Sequence, residues 1–282
     1  MNYSRRARWG RWMLATALVI TMPSLAGCPG ADVEPEPSEY LSGEVLIGIN
    51  TDLPGWSEYS NGVWQGFDIA LGRWLGEELG FDVRYVNLTT NERISALEAD
   101  GAVKLVISNF SITDNRRETI DMVGPYFTDS QGILTLKTKP IAGRKDLVDK
   151  SVCVPLGSTT ELRLGDMTVV ATPENTLQRC MERLRAGEVD AVSSDRVILE
   201  GFVVHGGDDL TLAQNIRVGS ERYGIGIPNN RPKLCEYLRD KLSKFIDDKW
   251  DQTLRDALPG VDPKDRKPNS AALDPCEKPA TE

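Results

Sequence analysis

The run S-N-F-S-I-T-D-N-R-R-E-T-I-D-M-V-G-P-Y-F over residues 108–127 gathers groups suited to holding an anion. It starts where an apolar strand, Val103 to Ile107, ends. A short polar loop leads to a helix start with Thr113 or Asp114 as N-cap. Arg116 then falls in the first helical turn, where the helix dipole disfavours a cation. An anion at the strand end, held by backbone N–H groups, loop hydroxyls and the guanidinium, would account for that placement. Pairing with Glu118 or Asp121 would account for it equally well. Two further spots carry weaker signals. Gly157-Ser158-Thr159 opens a helix, although G-S-T-T alone is an ordinary helix N-terminus. Asp195 ends a strand and opens a helix, where capping is its plainest role.

The elements that must position these groups alternate. Strands are predicted over Glu44 to Asn50, Asp82 to Asn87 and Val103 to Ile107. Between them lie helices over Phe67 to Leu79, with Ile69, Ala70, Trp74 and Leu75 on one face, and over Glu92 to Glu98. Ile133 to Lys137 reads as a strand leading out of this unit. A second set follows: strands over Ser151 to Pro155, Thr168 to Ala171 and Val189 to Ser193, with helices from about Thr160 and over Glu174 to Ala186. Repeated βα units argue for two α/β lobes built on mostly parallel sheets. Tyr223 to Ile227 is the strand by which the chain returns to the first lobe, and Pro232 to Asp247 forms a helix packed there through Leu234, Leu238, Leu242 and Ile246. Two crossings make a hinge, and Arg116 lies at a strand's carboxyl end between lobes, where such folds place ligands.

The N-terminus reads as a targeting segment. Arg5, Arg6, Arg8 and Arg11 precede an apolar stretch from Trp12 to Met22, too short to span a bilayer as a mature helix. Leu25-Ala26-Gly27-Cys28 resembles a lipoprotein lipobox, which implies diacylation of Cys28 and a lipid anchor on the outer face of the cell membrane. Loss of residues 1–27 removes four arginines and no acid, so 29 basic residues face 42 acidic ones and the formal charge moves from −9 to −13. That balance argues against nucleic-acid binding and against a basic membrane-docking surface. The expected organisation is a signal peptide over 1–27, a Pro- and acid-rich tether over 28–42, a first lobe over 43–135 plus 224–258, a second lobe over 136–223, and an irregular C-terminal extension over 259–282.

The 108–127 segment resembles the signature of the family 3 extracellular solute-binding proteins, the amino-acid receptors of bacterial ABC importers. Their T/S-x-T-D-x-R followed by x-D-F-x-x-P-Y is closely matched. The resemblance extends over nearly all of residues 44–258. W-Q-G-F-D-I-A-L (64–71) looks like the family's aromatic-x-G-F-D-V-D-L segment, with Ala70 in place of the usual acid. It implies a two-lobed periplasmic-binding-protein-like clamshell, a monomer without cofactor, whose partners are a free L-amino acid and an ABC permease. By position it implies that Arg116 clamps the ligand carboxylate, that Asn109 and Ser111 touch ligand, that Ser158 and Thr159 in the G-S-T turn meet the same carboxylate, and that Asp195 accepts from the ligand ammonium. The loop G-I-N-T-D-L-P-G-W-S (48–57) resembles the G-x-x-x-D-Q-P-G loop of acidic-amino-acid receptors. Asn50 falls where some relatives place a side-chain-reading acid. Leu53 and Thr90 fall near positions that are aromatic elsewhere, with Trp56 or Trp64 as substitutes. Glutamate, glutamine or asparagine is the expected ligand.

Five cysteines in an exported chain fit one lipidated Cys28 and four that pair. Cys153, Cys180, Cys235 and Cys276 allow three connectivities, among which the sequence does not choose. Nearness along the chain suggests 153–180 and 235–276, and the first also resembles a pair found in a subset of the family. Two other functions stay open: a lipid-anchored sensor for a signalling partner, and an enzyme on this fold such as a dehydratase. Against catalysis, the sequence holds no nucleophile motif, no His/Cys metal spacing and no phosphate loop, and its one histidine, His205, is expected in a surface loop.

Overall fold

The computed structural model describes residues 34–98, 102–164 and 169–276. The signal segment 1–27, Cys28 and the first part of the tether lie outside the described residues. Residues 34–42 of the expected tether are structured. The short helix α1 (Pro37–Tyr40) lies against the body, Leu41 is buried, and the cationic ends of Lys104 and Arg231 sit over the Tyr40 ring.

Two parallel strand trios dominate the architecture. The first comprises β1 (Glu44–Ile49), β5 (Asp82–Asn87) and β6 (Val103–Val106), with β1 in the middle. A small antiparallel sheet of β2 (Asp52–Leu53), β3 (Ser57–Ser60) and β4 (Val63–Gln65) interrupts the path to α2 (Phe67–Leu79). A 3₁₀ turn over Thr90–Glu92 and α3 (Arg93–Glu98) precede β6, and α4 (Asp114–Thr119) follows it. The second trio is β8 (Ser151–Pro155), β9 (Val170–Glu174) and β10 (Ala191–Asp195), with α5 (Thr159–Leu164) and α6 (Leu177–Ala186) in the connections and α7 (Arg196–His205) after β10. β7 (Asp121–Leu136) and β12 (Val218–Ile227) join the trios, and the sheet order is β5-β1-β6-β12-β7-β10-β8-β9, with β11 (Leu210–Leu212) on β7. The α/β, two-lobed fold class is therefore as expected.

β7 differs most from the sequence reading, since its regular backbone starts at Asp121 instead of near Ile133. Residues 121–131 pair with β12 and residues 131–136 with β10 and β11, so one long strand serves both trios. α6 begins later than expected because Pro173 and Glu174 finish β9 and the Thr176 hydroxyl caps the helix through the Arg179 amide. On α2 the buried face is Phe67, Asp68, Ile69, Leu71, Gly72, Leu75 and Gly76, whereas Ala70 and Trp74 are half-buried. His205 sits at the exposed end of α7 instead of in a loop.

An aromatic core lies under the first trio, where Phe67 contacts Trp56, Tyr126, Phe127, Phe245 and Trp250. α8 (Pro232–Asp248) buries Leu234, Leu238, Leu242 and Ile246 there, and α9 (Trp250–Ala257) adds Trp250 and Leu254. In the first turn of α8 the Lys233 and Leu234 amides donate to the Glu34 carboxylate, after a proline at the position where helices tolerate it. The C-terminal stretch is irregular yet docked: Thr128 pairs with Arg266 and Asp265 carbonyls, Arg266 with Glu200, and Asp274 with Gly124. Disulfides join Cys153 to Cys180 and Cys235 to Cys276, which selects one of the three connectivities.

Candidate functional site

Arg116 sits on α4, whose N-cap is Thr113: the Thr113 hydroxyl accepts from the Arg116 amide at 3.2 Å. Its guanidinium reaches back to the Ser111 carbonyl at 2.7 Å and across to the Gly157 carbonyl at 3.2 Å. Burial depresses its pKa, and the negative charges of Glu221 and Asp195 work against that. Asp195 ends β10 and does not cap α7 with its side chain. The Tyr223 hydroxyl donates to Asp195 Oδ2 at 2.7 Å, while Asp129 Oδ2 accepts from the Val197 amide at 2.6 Å and takes the capping role. Freed of capping, Asp195 is buried, and burial first, then the charges of Glu221 and Asp129, push its carboxyl well above the usual range. The Tyr223 hydrogen bond and Arg93 oppose that rise.

A cavity lies between the carboxyl ends of the two trios. All eight residues singled out in the sequence line it: Asn50, Thr90, Asn109, Ser111, Arg116, Ser158, Thr159 and Asp195. Leu53 lines it as well. The two tryptophans do not. Trp56 is buried among Phe67, Phe127 and Tyr223, and Trp64 packs between Tyr59 and Tyr85. Their apolar area is worth more in those clusters than at a polar wall.

In the G-S-T turn two backbone donors have local partners. Gly157 N–H donates to the Glu161 carboxylate at 2.7 Å and Ser158 N–H to the Pro155 carbonyl at 3.2 Å, so both are engaged inside the turn. Ser158 Oγ accepts from the Glu161 amide, and Thr159 Oγ1 donates to Glu221. Glu221 is fully buried and also takes Gln131 Nε2 and the Arg163 guanidinium.

Sequence reasoning missed Arg93. It lines the cavity from α3, donating to the carbonyls of Thr90 (2.9 Å), Ser108 (2.9 Å) and Asn109 (3.4 Å). Burial and the neighbouring Arg116 charge bring its pKa down to about 9. Both guanidinium carbons lie over the Phe110 ring, 4.5 and 4.8 Å from its centroid. The signal was slight: Arg93 opens α3 one turn before Leu97, on the face that the helix buries. Behind the same wall, the buried Asp68 accepts from Tyr126 OH at 2.9 Å and from the Asn109 amide at 3.0 Å, which holds Asn109 at a φ of +44°.

An interlobe cavity lined by two guanidinia, one carboxylate and several hydroxyls, at strand ends, defines a two-lobed α/β binding protein of the periplasmic type. Residues 45–257 match the bacterial extracellular solute-binding proteins, family 3, and the chain belongs to that family. The glutamate/glutamine/aspartate/asparagine-binding protein BztA of Rhodobacter capsulatus is 31% identical over 165 residues, 54% of this chain and 48% of the relative, so that match spans about half of BztA. The glutamine-binding protein of Geobacillus stearothermophilus is 25% identical over 263 residues, covering 83% of this chain and 98% of the relative. Among solved structures, an ancestral arginine-binding protein bound to arginine superposes with a TM-score of 0.71 at 27% identity, over 78% of this chain and 100% of that one.

Proposed function

We propose that this protein captures a free L-amino acid outside the cell, by closure of its two lobes, and delivers it to an ABC permease. The observation that carries the reading is that Arg116, from the first lobe, and Asp195, from the second, line one cavity. A zwitterion offers a carboxylate to the first and an ammonium to the second, and binding both draws the lobes together. The ammonium would also keep Asp195 ionised against its burial. The proposed lobes are 43–135 with 224–258, and 136–223, hinged at β7 and β12. Cys28 is proposed as the lipid anchor.

For the ligand's own side chain, charge favours glutamate over glutamine and asparagine. Among the described residues the lining carries Arg93 and Arg116 against Asp195 alone, and an acidic amino acid brings one net negative charge to that excess. Glutamine-binding and mixed-specificity relatives support the polar class. This is a binding role, in a family of solute-binding proteins.

A thermal-shift screen against single L-amino acids, disulfides intact, tests the reading. Ligand at a hundred times its Kd adds about 2.7 kcal/mol of stability. One or two hits that disappear in Arg116→Ala support capture, and no hit with a well-folded protein overturns it.

A further inference from the structure

Asp52 does not line the cavity, yet its carboxylate crosses from one trio to the other. It lies on β2, just after β1 of the first trio, and its Oδ2 accepts from the Gln178 amide of α6 at 3.0 Å. The Thr176 hydroxyl and Leu177 amide lie alongside. α6 already has its own cap in Thr176, so Asp52 brings a second acceptor, and a negative charge, to the helix's positive end from outside its lobe.

The rest of the loop makes the same crossing. The Pro54 carbonyl presses on Gly201 of α7, where a Cβ would sit 2.3 Å from the oxygen. Trp56 Nε1 donates to the Val197 carbonyl at 3.4 Å. Leu53, Leu177 and Ile198 form part of the cavity wall, so the loop, α6 and α7 meet at the ligand space. The Asp52 amide in turn donates to Asn50 Oδ1 at 3.3 Å, tying a lining residue to the crossing.

We propose that Asp52 is a latch: by capping α6 from the opposite lobe it holds the cavity shut and sets how fast ligand leaves. The inference rests on the capture reading above. Asp52 is a positioning residue, acting through α6 and the Asn50–Trp56 loop without touching ligand. Opening of the lobes pulls its carboxylate off the Gln178 amide.

Asp52→Ala and the near-isosteric Asp52→Asn are compared with the wild type by stopped-flow, using L-glutamate and L-glutamine. The expected result is about five-fold faster dissociation for Asp52→Ala, the factor matching a helix-cap loss of about 1 kcal/mol. Asp52→Asn, which keeps an acceptor and loses the charge, should fall between, and association rates should hold. A merely local role would lower the ligand-free melting temperature and leave dissociation unchanged, which overturns the latch while binding by the wild type keeps the capture reading. If the wild type binds neither probe nor any other amino acid, the capture reading falls. The latch is then read from small-angle scattering of the ligand-free proteins, where equal radii for wild type and Asp52→Ala overturn it and a larger radius for the variant supports it.

Discussion

Arg116 Nη2 donates to the Gly157 carbonyl at 3.2 Å, so a guanidinium on α4 reaches the turn after β8 in the opposite trio. The turn can come this close because Gly157 adopts a φ of +75° and presents no side chain; a Cβ there would lie 3.0 Å from Asn91. The same guanidinium donates to Ser111. Arg116 thus joins the two cavity walls while remaining available to an anion between them.

Arg116→Lys keeps the charge and loses the fork that serves two carbonyls and a ligand at once. Loss of one charge-assisted hydrogen bond costs about 1.5–3 kcal/mol, so ligand affinity should fall by roughly 10- to 150-fold. Titration calorimetry against the best ligand checks this, and an affinity within two-fold of wild type, roughly 0.4 kcal/mol, would refute it.

Tyr223→Phe removes the donor that holds Asp195 Oδ2. Asp195 already titrates well above the usual carboxylate range, so losing the bond raises it further. Protonated Asp195 is a poor acceptor for an ammonium; affinity should therefore rise as pH climbs through its raised titration range, and in the variant that rise should move to higher pH. Binding curves at a series of pH values decide this.

Asp68 is fully buried, and burial raises its carboxyl from 3.8 to about 7 despite the bonds from Tyr126 and Asn109. The folded state then binds a proton that the unfolded state has released, so this group's contribution is present at low pH and lost as pH climbs from about 4 to about 7. Over that range wild-type stability should fall relative to Asp68→Asn by roughly 1.4 kcal/mol per pH unit at most. Urea melts of both proteins across the range measure the difference.

Gly201→Ala places a methyl against the Pro54 carbonyl. Overpacking of this kind costs about 1–3 kcal/mol. Because the clash lies between the loop and α7, it should weaken ligand binding more than it lowers the ligand-free melting temperature. Calorimetry and thermal melts on the same preparation separate the two effects.

Cys235→Ser with Cys276→Ser releases the C-terminal stretch from α8, a bridge spanning 41 residues. Loop-closure entropy gives a loss of about 4 kcal/mol. Thermal melts should show a large drop, with ligand affinity nearly unchanged because neither cysteine lines the cavity.

Local chemistry was enough to mark much of this molecule. Alternation of apolar strands with helices carrying a 3.6-residue period set out the two trios, because burial of one face is written into spacing. α8 shows this most clearly, with Leu234, Leu238, Leu242 and Ile246 all buried as their spacing requires. Arg116 stood out because a cation in a first helical turn needs a reason, and the family pattern then pointed to its companions. Spacing could not show which groups meet across a gap of a hundred residues or more. Asp195 was legible as a cap, yet the fold hands capping to Asp129 on β7 and turns Asp195 toward Tyr223. Trp56 and Trp64 were plausible at the wall, but packing energy drew them into aromatic clusters. Arg93 and Asp52 gained their significance only in three dimensions. Each pairs with partners supplied by other elements, and a hydrogen bond from Gln178 to Asp52 spans 126 positions that no local rule connects. Periodicity and capping are short-range and therefore readable along the chain; the cavity's electrostatics depend on burial and on charges brought together by two crossing strands, and those exist only once the chain has folded.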